Sequence, residues 1–163
     1  MQPCTRILLA GLGALAAGHA LAGSPSLAGT WSIEQCDDDA SRKPCGGFTL
    51  VLVQRGDRLC GSHFAATPNF SRVDEGRPTS LIGTLAGSQA VLFVASGRDA
   101  ASYLARARLA NGQLAWKLVE KTGDGADPGA PVIALDQTLR RAPADPRFAA
   151  AAKACEQHFR TAP

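Results

Sequence analysis

Between Leu27 and Arg141 the chain is written in short runs of alternating apolar and polar residues, each closed by glycine, asparagine, aspartate or proline. A period of two over five to nine residues is the signature of a half-buried strand. The runs Ala28–Gln35, Phe48–Arg55, Arg58–Ala65, Ser80–Ala86, Gln89–Ser96, Ser102–Ala110, Gln113–Lys121 and Leu135–Arg141 predict eight strands. Three junctions, Gly56-Asp57, Gly87-Ser88 and Asn111-Gly112, are two-residue turns of the kind tight hairpins need. Pairing about Asn111-Gly112 sets Leu109 opposite Leu114, Ala107 opposite Trp116 and Ala105 opposite Leu118 on one face, with Arg106, Arg108 and Lys117 on the other.

The hairpin at Gly56-Asp57 is apolar on both faces. Leu50, Leu52 and Leu59 share one, and Val51, Val53, Cys60 and Phe64 share the other, so both must be covered. The C-terminal segment supplies the cover. Asp145 can cap a helix, Pro146 suits its first position, and Phe148, Ala152, Cys155 and Phe159 recur at helical spacing on one face. The expected organisation is an all-β, eight-stranded antiparallel up-and-down barrel over residues 23–141, with residues 142–163 forming one helix packed on its outside.

Residues 1–22 read as a cleavable export signal, with Arg6, the apolar run Ile7–Ala17 and small residues at Ala20 and Ala22 fitting a cleavage site. Its run falls short of the roughly 20 apolar residues a bilayer span requires, so no membrane anchor is expected after cleavage. Sixteen Lys and Arg then stand against fourteen Asp and Glu, too even a balance to point to nucleic acid. Four cysteines remain, Cys36, Cys45, Cys60 and Cys155, and an even count in an exported chain reads as two disulfides. The helix packing favours Cys60–Cys155, leaving Cys36–Cys45; a Cys36–Cys60 bridge would instead join strands one and three. The expected location is the periplasm or the exterior.

Connections in a meander alternate between the two ends of a barrel. One end therefore gathers the long segments 37–47, 67–79, 97–101 and 122–134, while the other has only the tight turns: an open mouth and a closed base. At the base, Leu27-x-Gly29-x-Trp31 resembles the opening strand of calycins, the lipocalin and avidin type of barrel. In those barrels a tryptophan plugs the floor, and in lipocalins a late basic residue packs over it. The resemblance implies that role for Trp31, with Arg140 (or its neighbour Arg141) as the basic partner. It transfers no ligand.

Candidate chemistry is sparse. His63 lies mid-strand on the face of Leu59 and Gly61, as an interior residue or a ligand contact, and Tyr103, Trp116 and Glu120 share the predicted inner face near the mouth. Those four are the candidate ligand-binding residues. The loop Asn69–Arg77 mixes an aromatic with two arginines and two acids; with Arg98 it nominates Phe70, Arg72, Asp74 and Arg77 for contact with a protein partner. The segment Ser96-Gly97-Arg98-Asp99 followed by Tyr103 resembles the protruding loop of periplasmic lysozyme inhibitors. No nucleophile, base and oxyanion set is apparent, Ser62 and His63 falling on opposite faces of one strand. Asp37–Asp39 and Asp124–Asp127 lack the order of oxygen ligands that calcium needs, and Arg55-Gly56-Asp57 is explained by its hairpin. His158 reads as solvated surface.

The expectation is a non-catalytic exported binding protein without cofactor or metal. As a small-ligand carrier it needs room around His63, Tyr103 and Trp116. The alternative, an inhibitor or immunity protein against an envelope hydrolase, needs a filled interior and projecting loops.

Overall fold

In the computed structural model, which describes residues 26–37, 44–123 and 131–161, the runs fold into β1 (Gly29–Gln35), β2 (Gly46–Arg55), β3 (Arg58–Ala66), β4 (Val73–Glu75), β5 (Leu81–Ala86), β6 (Gln89–Ala95), β7 (Ser102–Ala110), β8 (Gln113–Lys121), β9 (Asp136–Arg141) and α1 (Pro146–Thr161). The export signal read at 1–22 and most of both aspartate-rich segments lie outside the described residues. Neighbouring strands run β2-β1-β9-β8-β7-β6-β5-β3, and β2 also pairs with β3, so eight antiparallel strands close into a barrel compatible with a calycin-type layout. The three tight turns all lie at one end, as the turn residues require.

β4 is an addition to the expected eight strands. The lower half of β3 pairs with β5, from Arg58 opposite Thr84 to Gly61 opposite Leu81, whereas its upper half pairs with β4, Phe64 opposite Glu75 and Ala65 opposite Asp74. Three residues are too short for a periodic signal, so only the free edge of β3 reveals this strand. Every pairing expected around Asn111-Gly112 is present.

Alternate residues fill the barrel. Trp31, Phe48, Leu50, Leu92, Leu114 and Trp116 are among its fully buried side chains. Ala107 stands opposite Trp116, whose indole lies 5.3 Å from the ring of Phe48, and Ala105 stands opposite Leu118. Large beside small at native packing density leaves the two tryptophans touching protein on all sides.

At the base, the Trp31 indole N–H donates to the Leu27 carbonyl at 2.9 Å, and the Leu27 N–H donates to Gln54 at 2.8 Å. The cation over the Trp31 ring, at 4.3 Å, is Arg141 and not Arg140. Register decides this: Arg141 stands opposite Trp31 on the inner parity, whereas Arg140 stands opposite Ser32 and points outward. Arg141 also donates to the Ala28 carbonyl at 2.8 Å, across Gly29, whose φ of 125° favours glycine and where a side chain would displace the guanidinium.

The helix lies on the outer face of β2 and β3, as the two-faced hairpin demanded. Asp145 caps it, accepting the Arg147 N–H at 2.8 Å. Cys155 and Phe159 pack on Cys60 and Val53; Arg58 sits 5.2 Å over the Phe159 ring. Both favoured disulfides, Cys36–Cys45 and Cys60–Cys155, are formed, and two such bridges point to an oxidising compartment. Among the described residues no helix is long and apolar enough to cross a membrane.

The base makes a prediction that separates two adjacent arginines. Arg141→Ala removes a cation–π contact and a hydrogen bond and lowers unfolding stability by about 1–2 kcal/mol in urea titration, while Arg140→Ala stays within about 0.5 kcal/mol of the parent.

Candidate functional site

The opposite end of the barrel is organised by one buried polar array. β3 carries His63 on its inner parity, β4 sets Asp74 against the upper half of β3, and Ser80 immediately precedes β5. Ser80 Oγ lies 2.9 Å from His63 Nδ1, and His63 Nε2 lies 3.2 Å from Asp74 Oδ1. Asp74 is further held by the Ser96 hydroxyl at 2.6 Å and the Gly97 N–H at 2.8 Å. With the proton of His63 on Nε2, each contact has a donor and an acceptor: Ser80 donates to Nδ1, and Nε2–H, Ser96 and Gly97 donate to the carboxylate. All three central residues are at most 5% exposed.

Burial on its own would raise the Asp74 pKa. Hydrogen bonds from His63 and Ser96, attraction to the His63 ring and the Gly97 N–H outweigh it, and the carboxyl sits below its ordinary value. A buried carboxylate thus ties together β3, β4 and the β6–β7 connection. The Ser96 hydroxyl extends the array by accepting the Arg98 N–H at 3.1 Å.

Serine, histidine and aspartate in this order also compose the relay of acyl-transfer enzymes. Here Gly76 packs against the serine, which is almost wholly buried. Gly76 lies so close that a Cβ on it would stand 2.1 Å from Ser80 Oγ and 2.5 Å from His63 Nδ1. The Gly76 N–H is bonded to the His63 carbonyl at 2.9 Å, fixing that cover in place. In this arrangement the array fastens loops to strands.

What it fastens is the rim. A cleft of about 360 Å³ opens between the two connections, lined by Arg77, Thr79, Ser80, Ser96, Gly97 and Ala100 among others. Asn69, Phe70 and Ala100 all adopt positive φ, a conformation non-glycine residues hold only when their surroundings impose it. The Asn69 N–H donates to the Pro44 carbonyl at 2.9 Å, tying this connection to the Cys36–Cys45 loop.

The expected site residues divide. Of the ligand-binding set, His63 is consumed by the array, Tyr103 is buried, and Trp116 donates its N–H to the Ala134 carbonyl at 2.8 Å. Glu120 is on the outer face. A bulge sets Leu118 opposite Ala105 but Glu120 opposite Leu104, so parity reverses past Val119 and the carboxylate is turned to solvent. Of the partner-binding set, Asp74 is corrected from surface contact to buried anchor. Phe70, Arg77 and Arg98 are exposed and Arg72 is half-buried, all on the two connections that the array holds.

Sequence reasoning missed Ser80, Ser96 and Gly97. Their only signal was being small residues near strand ends, and the spacing 63, 74, 80, 96 has no local regularity because the four positions meet only when β3, β4 and the segments flanking β5 and β6 lie side by side in the sheet. No family model, curated protein or solved structure matches this chain.

The array predicts an acid-sensitive rim. The folded Asp74 carboxyl titrates below its unfolded value, so its contribution is complete above about pH 4 and is lost as pH falls through the folded value. Asp74→Asn lowers stability at pH 7 by about 2–3 kcal/mol and shrinks the difference from the parent as pH is reduced below about 4, measured by urea unfolding across pH.

Proposed function

We propose that this is an exported, non-catalytic binding protein that engages a partner protein through the loop end of its barrel, the partner being an envelope hydrolase with an acidic cleft. The observation that carries the reading is the combination of a filled interior with a rim clamped by a buried carboxylate. Side chains that an enclosed small ligand would have to displace are packed against one another, whereas Phe70, Arg72, Arg77 and Arg98 stand on connections ordered before any partner arrives.

Order of that kind lowers the entropic cost of association. Exposed aromatic and arginine side chains are the types that dominate interface energies, and a guanidinium can bind the carboxylate of a hydrolase active site with two parallel hydrogen bonds. The disulfides fit a protein that works in an oxidising compartment.

The test is a titration of purified muramidases of several types with the disulfide-intact protein, reading residual hydrolysis of peptidoglycan. One enzyme is inhibited at near-stoichiometric protein, and Arg77→Ala/Arg98→Ala weakens inhibition at least tenfold, about 1.4 kcal/mol, without changing the unfolding midpoint. A stoichiometric small molecule retained in native mass spectrometry, together with no inhibition, would return the carrier reading.

A further inference from the structure

The seam that closes the barrel, between β1 and β9, is paired over only part of its length. Ala142 N–H donates to the Thr30 carbonyl at 2.9 Å, and the next registered pairs are Trp31 with Arg141 and Ser32 with Arg140. There the ladder stops, although β1 continues to Gln35 and β9 begins at Asp136. Alternation identifies the groups left over. On β1, Thr30, Ser32 and Glu34 turn their backbone groups toward β9, while the residues between them serve β2. On β9, Leu139, Gln137 and the preceding Leu135 serve β8, with the Leu118 N–H donating to the Leu135 carbonyl at 2.7 Å.

The backbone groups of Glu34 on one side, and of Thr138 and Asp136 on the other, therefore face the seam with no ladder partner among the described residues. A cleft of about 670 Å³ lies at this place, lined by Ser32, Ile33, Glu34, Gln113, Thr138 and Arg140. Termination of the ladder and the presence of the cleft are separate observations at one location.

We propose that this seam is a docking site for a short extended segment of another polypeptide. Two facing strand edges need an occupant with donors and acceptors at strand spacing along both of its own edges, and a polypeptide backbone has that pattern. Since β1 and β9 are antiparallel, the inserted segment lies antiparallel to one and parallel to the other. Ile33, which packs against the core, is an apolar floor for its inward side chains. The outward ones lie between exposed Glu34 and exposed Arg140, which select a cation near the first and an anion near the second. The segment recognised thus alternates apolar and polar residues and carries both charges. This site is independent of the loop end and of the partner assigned to it.

Amide hydrogen exchange by NMR on the full, disulfide-intact chain tests the proposal in two steps. In the free protein the Glu34 and Thr138 amides exchange at least about 100-fold faster than those of Ile33 and Leu139, which bond within the sheet. Adding acetyl-Lys-Val-Thr-Val-Glu-amide in millimolar excess slows Glu34 and Thr138 at least tenfold, and the same peptide methylated at its valine nitrogens does not. Arg77→Ala/Arg98→Ala leaves this protection unchanged, which separates the seam from the rim. Protection of Glu34 and Thr138 in the free protein would overturn the proposal by showing that the chain closes its own seam. Equal exchange with and without the unmethylated peptide would overturn it as well.

Discussion

A closed barrel of eight strands has an interior that its own side chains must fill, and the rest of this molecule follows from how that is done. Each strand can send only alternate residues inward, so the supply is fixed by sequence parity and the space by strand number. Two tryptophans, one near the base and one opposite Ala107, take up much of that volume. Polar groups can then enter only where the packed interior ends. The mouth is that place, and the histidine that β3 turns inward there is met by a carboxylate on one ring nitrogen and a hydroxyl near the other.

Filling the interior and ordering the loops are two parts of one arrangement. Asp74 reaches the array only because β4 pairs with the upper half of β3, and β4 has that edge to pair with because β5 has turned away after Gly61. The unpaired half-strand would otherwise be exposed backbone. Covering it brings a charge into the structure, and the charge draws the β6–β7 connection onto itself through Ser96 and Gly97. The outer surface is governed differently, by a helix and a disulfide over the most apolar part of β2 and β3.

Elements whose determinants are local were readable in the sequence. Asn111-Gly112 fixed a hairpin and its register, Asp145-Pro146 fixed a helix start, and the doubly apolar hairpin told where that helix lies and hence how Cys60 pairs. Elements decided by pairing between distant segments, or by a local irregularity, were not. The choice of Arg141 over Arg140 depends on a one-residue register between the first and last strands. The outward turn of Glu120 depends on a bulge at Val119 that no turn residue announces. The polar array joins positions 63 and 74 on two strands to positions 80 and 96 in two connections, and the serine that meets His63 in space is Ser80 and not its sequence neighbour Ser62.

The connectivity of the bridges has a consequence for biogenesis. In the described chain the cysteines pair in the order in which they occur, first with second and third with fourth. A chain entering an oxidising compartment N-terminus first can have each new thiol joined to the one waiting before it and arrive at the native pattern without reshuffling. Cys60 must then remain reduced while 95 further positions pass, through the whole of the remaining barrel, until the helix brings its partner. The second bridge is therefore a seal on a finished barrel, and its formation reports that every strand has been delivered.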